Sequence, residues 1–335
     1  MSKTHVAVLM GGTSSEHEVS LKSGAMVAGN LDRARYEITP VIITREGRWK
    51  YPAERALPVG AALARLTELN VECMFIALHG PFGEDGRVQG LFDVLGLPYT
   101  GSGCAASALA MDKIHSKAVV RQAGLRVAQE IVLHRSEWDQ AFERVMTRVN
   151  HGIGFPCLIK SPCQGSSLGL AFPKDAGQFR TALLDVFAYG DLVMIERYIT
   201  GAEVTCGVLD VERGRAARAL PVTEICPVSS EYFDYAAKYT PGACNEITPA
   251  RISDQATRNV QEMAERVHTL VGCKGLSRSD MILEGDNPVW IEINTIPGMT
   301  ETSLYPQAAA AAGIAFPELL TLFVEEALHR GRPND

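Results

Sequence analysis

The tightest constraint on how this chain folds is the alternation, over residues 1–100, of short apolar runs with stretches of helical spacing. "VAVLM" (Val6–Met10), "ITPVII" (Ile38–Ile43) and "CMFIAL" (Cys73–Leu78) are each five or six residues long and run into polar or glycine-containing turns. Between the first two, Val19–Leu31 carries apolar residues at helical intervals, and "RVQGLFDVLG" does the same after the third. Strands that are apolar on both faces and separated by helices build parallel βαβ units. The expected fold class is α/β, opening with a parallel-sheet domain over residues 1–101.

The turn cluster "PYTGSG" (Pro98–Gly103) closes that unit. A helix-prone stretch follows from Cys104 to Ala123, then the strand "FPCLIK", a Gly/Ser loop and the returning strand "LAF". Residues 175–188 have helical spacing, "LVMIE" (Leu192–Glu196) reads as a buried strand, and "EVTCGVLD", "LPVTEI", "DMILEG" and "PVWIEIN" as further strands. Helices are expected near 253–271 and 315–329, and domains over 1–101, 102–191 and 192–335. A length of 335 residues with 46% hydrophobic content is enough for more than one core. Lys and Arg number 32 against 39 Asp and Glu, a net charge of −7, which disfavours a nucleic-acid partner. No apolar run approaches a membrane span, and the one near the start is too short for a signal peptide. The eight cysteines form no C-x-x-C pair and sit mostly in apolar stretches, as buried thiols do in a reducing cytoplasm.

The last strand says most about chemistry. In "VWIEIN" (Val289–Asn294), alternation puts Glu292 and Asn294 on one face and Ile291 and Ile293 on the other. An acid and an amide buried together need a partner, and oxygen ligands suit Mg²⁺ or Mn²⁺. Asp280, where "RSDMIL" begins a neighbouring strand, is a candidate for a third. The same pattern also fits the solvated face of an edge strand. The turn "NTIPGMTETSL" offers N–H groups beside this face, a setting for a developing oxyanion to which Arg278 adds charge.

Lys160 opens the hairpin "KSPCQGSSLG", which lacks the spacing of a Walker A loop. Lys113 in "MDKIHSK" and Lys238 in "YFDYAAKY" are further candidate phosphate cations, and each also fits a solvated surface. "MIERYITGAEVT" gives a strand ending at Glu196, a short linker and Glu203, an arrangement that suits an adenine edge and a ribose. "FIALHGPFGEDG" puts His79 and Glu84-Asp85 at the C-terminal end of a parallel strand, where open α/β sheets bind ligands. The first turn, "GGTSSEHEVS", has neither the Lys of a phosphate cradle nor G-x-G-x-x-G spacing, and carries Glu16 and Glu18 instead.

Together "GGTSSEHEVSL", "FIALHGPFGEDG", "LPYTGSG", "MDK", "GSSLG", "IERYITGAEVT", "FDYAAKY", "CKGLSRSD" and "EINTIPGMTETSL" resemble, in order, segments of the ATP-grasp ligases, and within them of the D-alanine–D-alanine ligase family. The resemblance covers nearly the whole chain. It implies an ATP-grasp fold of three domains, with ATP between the central and C-terminal ones. Lys113 and Lys160 would contact nucleotide phosphates, Glu196 with Tyr198 and Ile199 the adenine, Glu203 the ribose, and Lys238 the transferred phosphate. Asp280, Glu292 and Asn294 would bind two Mg²⁺ or Mn²⁺ ions, and Arg278 and the Gly298 N–H would stabilise the tetrahedral intermediate. Glu16 and His79 would contact the first D-alanine, and Ser303 and Leu304 the carboxylate of the second. Ser166 and Tyr239 would join Glu16 in locking a lid.

The implied reaction is ligation of two D-alanines through an acyl phosphate, for peptidoglycan precursors, by a cytoplasmic homodimer. Tyr239 in "FDYAAKY" matches dipeptide-forming members rather than D-alanine–D-lactate ligases. The chain departs from the family's pattern at Ser161, Ile296 and Thr302, the last two beside the second-substrate pocket. A ligase for another substrate pair is the nearest alternative, and a non-catalytic nucleotide-binding paralog is a further one.

Overall fold

The computed structural model describes residues 3–163, 169–212, 214–227 and 244–331. The N-terminal unit runs β1 (Thr4–Gly11), α1 (His17–Asn30), β2 (Tyr36–Ile43), β3 (Trp49–Lys50), α2 (Val59–Glu68), β4 (Cys73–Ile76) and α3 (Arg87–Leu95). Its sheet has the order β3-β2-β1-β4, with β1 parallel to both neighbours and β3 antiparallel at the edge. The expected parallel sheet is present, and both of its faces are buried. Ala7, Leu9, Val41 and Ile76 pack with Trp49, Leu66 and Phe92 on one side. Val6, Val8, Met10 and Phe75 pack on the other with Val27 and with residues from the end of the chain, including Leu319 and Phe323.

The helix-prone run from 104 to 123 is two helices, α4 (Cys104–Met111) and α5 (Lys113–Gln122). Asp112 breaks it: its backbone is extended and its carboxylate accepts the Ile114 and His115 N–H groups, capping α5. A middle sheet follows from β5 (Glu130–His134), α6 (Arg135–Gly152), β6 (Cys157–Lys160), β7 (Leu170–Ala171), α7 (Ala176–Phe187) and β8 (Leu192–Arg197), ordered β5-β8-β6-β7 and antiparallel throughout. Since β8 pairs with β5 and β6, the division expected at 191/192 falls just before a strand of the middle sheet. Odd-numbered residues of these strands (Leu133, Ile159, Ile195) bury against Trp138, Phe179 and Leu183. The even-numbered Lys160, Met194 and Glu196 therefore point to the opposite face.

The third sheet comprises β9 (Ala202–Asp210), β10 (Arg218–Ala219), β11 (Thr223–Pro227), β12 (Cys244–Ile247), β13 (Gly275–Glu284) and β14 (Asn287–Asn294), with α8 (Asp254–Val271) packed on it. Val260, Ala264, Val267 and Val271 of α8 cover Val204, Cys206, Met281 and Trp290. Helices α9 (Leu304–Ala311) and α10 (Phe316–Arg330) end the chain. α10 returns to cover the N-terminal sheet. Among the described residues, no single helix is long and apolar enough to cross a membrane.

One irregularity aims the chemistry. β13 pairs Asp280 with Glu292, but the next pair is Met281 with Trp290, so Ile291 is an extra residue in a bulge. Without the bulge, Trp290 and Glu292 would share a face. With it, Trp290 buries under α8 while Glu292 joins Asp280 on the opposite face.

Candidate active site

The non-core faces of the middle and third sheets, together with the C-terminal edge of the N-terminal sheet, carry the charged side chains. On β13 and β14, Arg278 pairs in register with Asn294, and Asp280 with Glu292. Arg278 grips both Asp280 oxygens at 2.9 Å each, a bidentate ion pair. The Thr205 hydroxyl donates to Asp280 at 2.6 Å and the Asn294 amide at 3.3 Å, so this acid is held from three sides. Burial opposes the Arg278 charge, but Asp280, Glu292 and Glu84 outweigh it and raise its pKa further. Glu203 lies two residues from Thr205 on the same face of β9.

Lys113, the first residue of α5, reaches Glu292 at 3.1 Å. Burial works against its charge, and Glu292 more than compensates, raising its pKa. The middle sheet supplies a second group. Glu196 is 1% exposed and is shared by two lysines: Lys160, whose Nζ lies 2.6 Å from one carboxylate oxygen, and Lys117, which pairs with the other. Burial would raise the Glu196 pKa, but the two lysines bring it below the ordinary carboxylate value. The Lys160 pKa is lowered as well, in its case mainly by burial, and the neighbouring Lys117 charge adds to that despite Glu196. Beyond Glu196, the Tyr198 and Phe172 rings lie 4.8 Å apart, and Ile199 packs with Ala128 and Val289 to form an apolar wall.

The third group sits where β4 ends. Glu16 precedes α1, and one of its oxygens lies only 2.7 Å from where a Cβ on Gly80 would stand. Gly80 has φ +72°, so glycine is required there both for space and for conformation. His79 is buried, and its Nε2 is 2.8 Å from the Ser23 hydroxyl. Burial lowers its pKa, which the Glu16 charge and a backbone hydrogen bond with Ile296 only partly offset. Glu84 accepts the Gly80 N–H at 2.8 Å and the Ile296 N–H at 3.3 Å. Loss of solvent and the Glu16 charge push its carboxyl up to about 8.

The turn after β14 connects this rim to the third sheet. Met299 N–H donates to Ser23 at 3.3 Å, and Thr300 N–H to the Ser303 hydroxyl at 2.9 Å. That hydroxyl lies 2.8 Å from where a Gly298 Cβ would be, so only glycine leaves room for it. Leu304 follows as the first residue of α9.

The site residues expected from sequence thus fall into three connected groups. Arg278, Asp280, Glu292, Asn294 and Lys113 form one, with Glu203 on the same sheet face. Lys160, Glu196, Tyr198 and Ile199 form the second. Glu16 and His79 form the third, which the Gly298–Leu304 turn connects to the first. Ser166, Lys238 and Tyr239 lie outside the described residues.

The sequence pattern assigns no role to Lys117, Ser23 or Thr205, and it places Glu84 only at a ligand-binding strand end. Lys117 had a signal: it follows Lys113 by four residues, one turn along the same helix face. Ile296, a departure from the family's pattern, buries in the N-terminal core beside Leu78 and Phe92.

Comparison with known proteins gives a consistent result. Residues 5–70 and 54–102 match the D-ala D-ala ligase N-terminus model, and residues 119–325 match the D-ala D-ala ligase C-terminus model. A D-alanine–D-alanine ligase of Desulforudis audaxviator is 41% identical over 327 residues, which cover 97% of this chain and 99% of that protein. The D-alanine–D-alanine ligase of Bacillus anthracis complexed with ATP superposes with TM-score 0.79 at 30% identity, covering 98% of each chain. The VanG D-Ala:D-Ser ligase of Enterococcus faecalis superposes with TM-score 0.81 at 30% identity, over 97% of this chain and all of that one.

Proposed function

The chain belongs to the D-alanine–D-alanine ligase family, and from that premise we propose that it joins two D-alanines in a reaction coupled to cleavage of ATP, supplying peptidoglycan precursors in the cytoplasm. The observation that carries the reading is the pairing of two buried lysines with the single carboxylate of Glu196. A buried surplus of positive charge calls for an anion, and a nucleotide phosphate supplies one beside the apolar wall of Tyr198 and Ile199.

On this reading ATP lies between the middle and third sheets, with Lys113 and Lys160 at its phosphates, Tyr198 and Ile199 at the adenine, and Glu203 at the ribose; Glu196, 1% exposed with both oxygens held by lysines, lies behind the site rather than on the adenine. Glu16 accepts from the ammonium of the first D-alanine and His79 helps to orient it. That substrate's carboxylate attacks the γ-phosphorus, ADP leaves, and an acyl phosphate forms. The amine of the second D-alanine, whose carboxylate Ser303 and Leu304 hold, attacks the acyl carbon and loses a proton as phosphate departs. Arg278 and the Gly298 N–H offset the charge on the tetrahedral oxygen. Positioning and charge neutralisation carry both steps, as in phosphoryl transfer generally. Ser166, Tyr239 and Lys238 are assigned by resemblance to the lid and the transferred phosphate.

Asp280, Glu292 and Asn294 would hold Mg²⁺ or Mn²⁺. Their fit rests on donor chemistry: an in-register pair of carboxylates with an amide beside them, all hard oxygen donors on one face. Among the described residues, no group of three or more His, Cys, Asp or Glu side chains converges on one point, so any ion there also depends on the Asn294 amide oxygen and on ligand oxygens. When bound, such ions neutralise negative charge on the transferring phosphoryl group.

ADP formation measured with ATP, Mg²⁺ and a panel of D- and L-amino acids tests the proposal. Turnover is expected with D-alanine. ADP release that is indifferent to D-alanine, or that requires another amino acid, rejects it.

A further inference from the structure

Lys117 has no place in the reaction described above, yet it is fully buried, whereas the Lys160 side chain keeps 11% of its surface exposed. The helix that carries Lys113 to Glu292 carries Lys117, one turn later, to Glu196. Lys160 and Glu196 are diagonal neighbours on one face of the β6–β8 pair, since Leu158 is the residue directly opposite Glu196. With only these two groups, the carboxylate and the ammonium would close on each other as a neutral pair. An arriving phosphate would then have to compete with Glu196 for Lys160 and would meet the Glu196 charge as well.

We propose that Lys117 is a positioning residue for nucleotide binding: it neutralises Glu196 from the solvent-free side, so that the charge of Lys160 is left for the phosphates of a nucleoside triphosphate. Lys117 touches no ligand itself, and it acts only through Glu196. The assignment rests on the nucleotide reading of this site.

The test compares steady-state constants of the full chain for wild type, Lys117→Met, the double variant Lys117→Met/Glu196→Gln, and Lys160→Ala, with melting temperatures as a check on folding. Lys117→Met keeps the length of the stem and removes the charge. It is expected to raise KM for ATP by about tenfold or more, equivalent to roughly 1.4 kcal/mol, while KM for D-alanine stays within about twofold. The double variant removes the carboxylate that would otherwise capture Lys160, and is expected to recover most of the loss in KM for ATP. A residue that merely fills space would show no such recovery.

An unchanged KM for ATP in Lys117→Met, or a double variant no better than the single one, overturns the inference. If Lys117→Met does not fold, Lys117→Gln takes its place with the same expectations. Lys160→Ala separates the two levels of the argument, because it should raise KM for ATP whatever Lys117 does. If it does not, the nucleotide reading itself fails.

Discussion

Arg278→Lys probes the centre of the site most sharply, because it preserves charge while removing geometry. The guanidinium holds both Asp280 oxygens at 2.9 Å, an arrangement that an ammonium cannot reproduce. Asp280 would keep its bonds from Thr205 and Asn294, so one charge-assisted hydrogen bond is lost, costing about 1.5–3 kcal/mol of stability. For a chain of this size that lowers the melting temperature by about 2–4 °C, leaving the protein folded at assay temperature. The effect on catalysis should be larger. Loss of one preorganised donor to a developing oxyanion lowers kcat by about 10²–10³-fold, or roughly 3–4 kcal/mol. A coupled assay of ADP release at saturating ATP and D-alanine reads kcat directly. KM for ATP should move little, because the lysine groups that hold the nucleotide are untouched. A kcat within about threefold of wild type, in a variant shown to be folded, would refute the role given to Arg278.

Three further perturbations follow from the same geometry. Glu292→Gln keeps the shape of the side chain but removes a charge facing Lys113, and should raise the Mg²⁺ concentration for half-maximal rate by on the order of tenfold or more; an unchanged Mg²⁺ titration rejects its role as a ligand. Glu84 keeps its proton in the fold up to about pH 8 against an ordinary value of 4.5, so the stability it contributes is fully present below 4.5 and is lost as pH rises through 8. Melting curves should therefore favour Glu84→Gln over wild type increasingly from pH 5 to pH 8, and a flat difference contradicts the shift. Phe323→Ala empties a fully buried position where α10 meets Phe75 of the N-terminal sheet, and should cost about 3–5 kcal/mol in denaturant unfolding; a cost below about 1 kcal/mol would mean that α10 does not secure that sheet.

Much of this arrangement is legible in the amino-acid sequence, because it lies in local pattern. Apolar runs of five or six residues read as parallel strands, and the turn motifs place Glu16, His79 and Gly298 beside strand ends. Three things are not legible, each because it is non-local or depends on a single residue. The bulge at Ile291 reverses the face of Trp290 relative to Glu292, and simple alternation cannot announce it. Asp112 caps a second helix within what reads as one helical stretch, and so sets where Lys113 and Lys117 point. The ion pairs that join Lys117 and Lys160 to Glu196 span 79 and 36 residues of sequence: the pairing of β6 with β8 sets Lys160 beside Glu196, and α5, packed on β14 and α8, carries Lys117 to the same carboxylate.

The central claim is that the first D-alanine's carboxylate becomes phosphorylated before the peptide bond forms. D-alanine carrying ¹⁸O in its carboxylate, incubated with ATP, Mg²⁺ and the full chain, tests this directly by mass spectrometry of the phosphate released. The account predicts one ¹⁸O in inorganic phosphate for each D-alanyl-D-alanine formed, since the attacking carboxylate oxygen leaves with the phosphate. Dipeptide formed with unlabelled phosphate would contradict it.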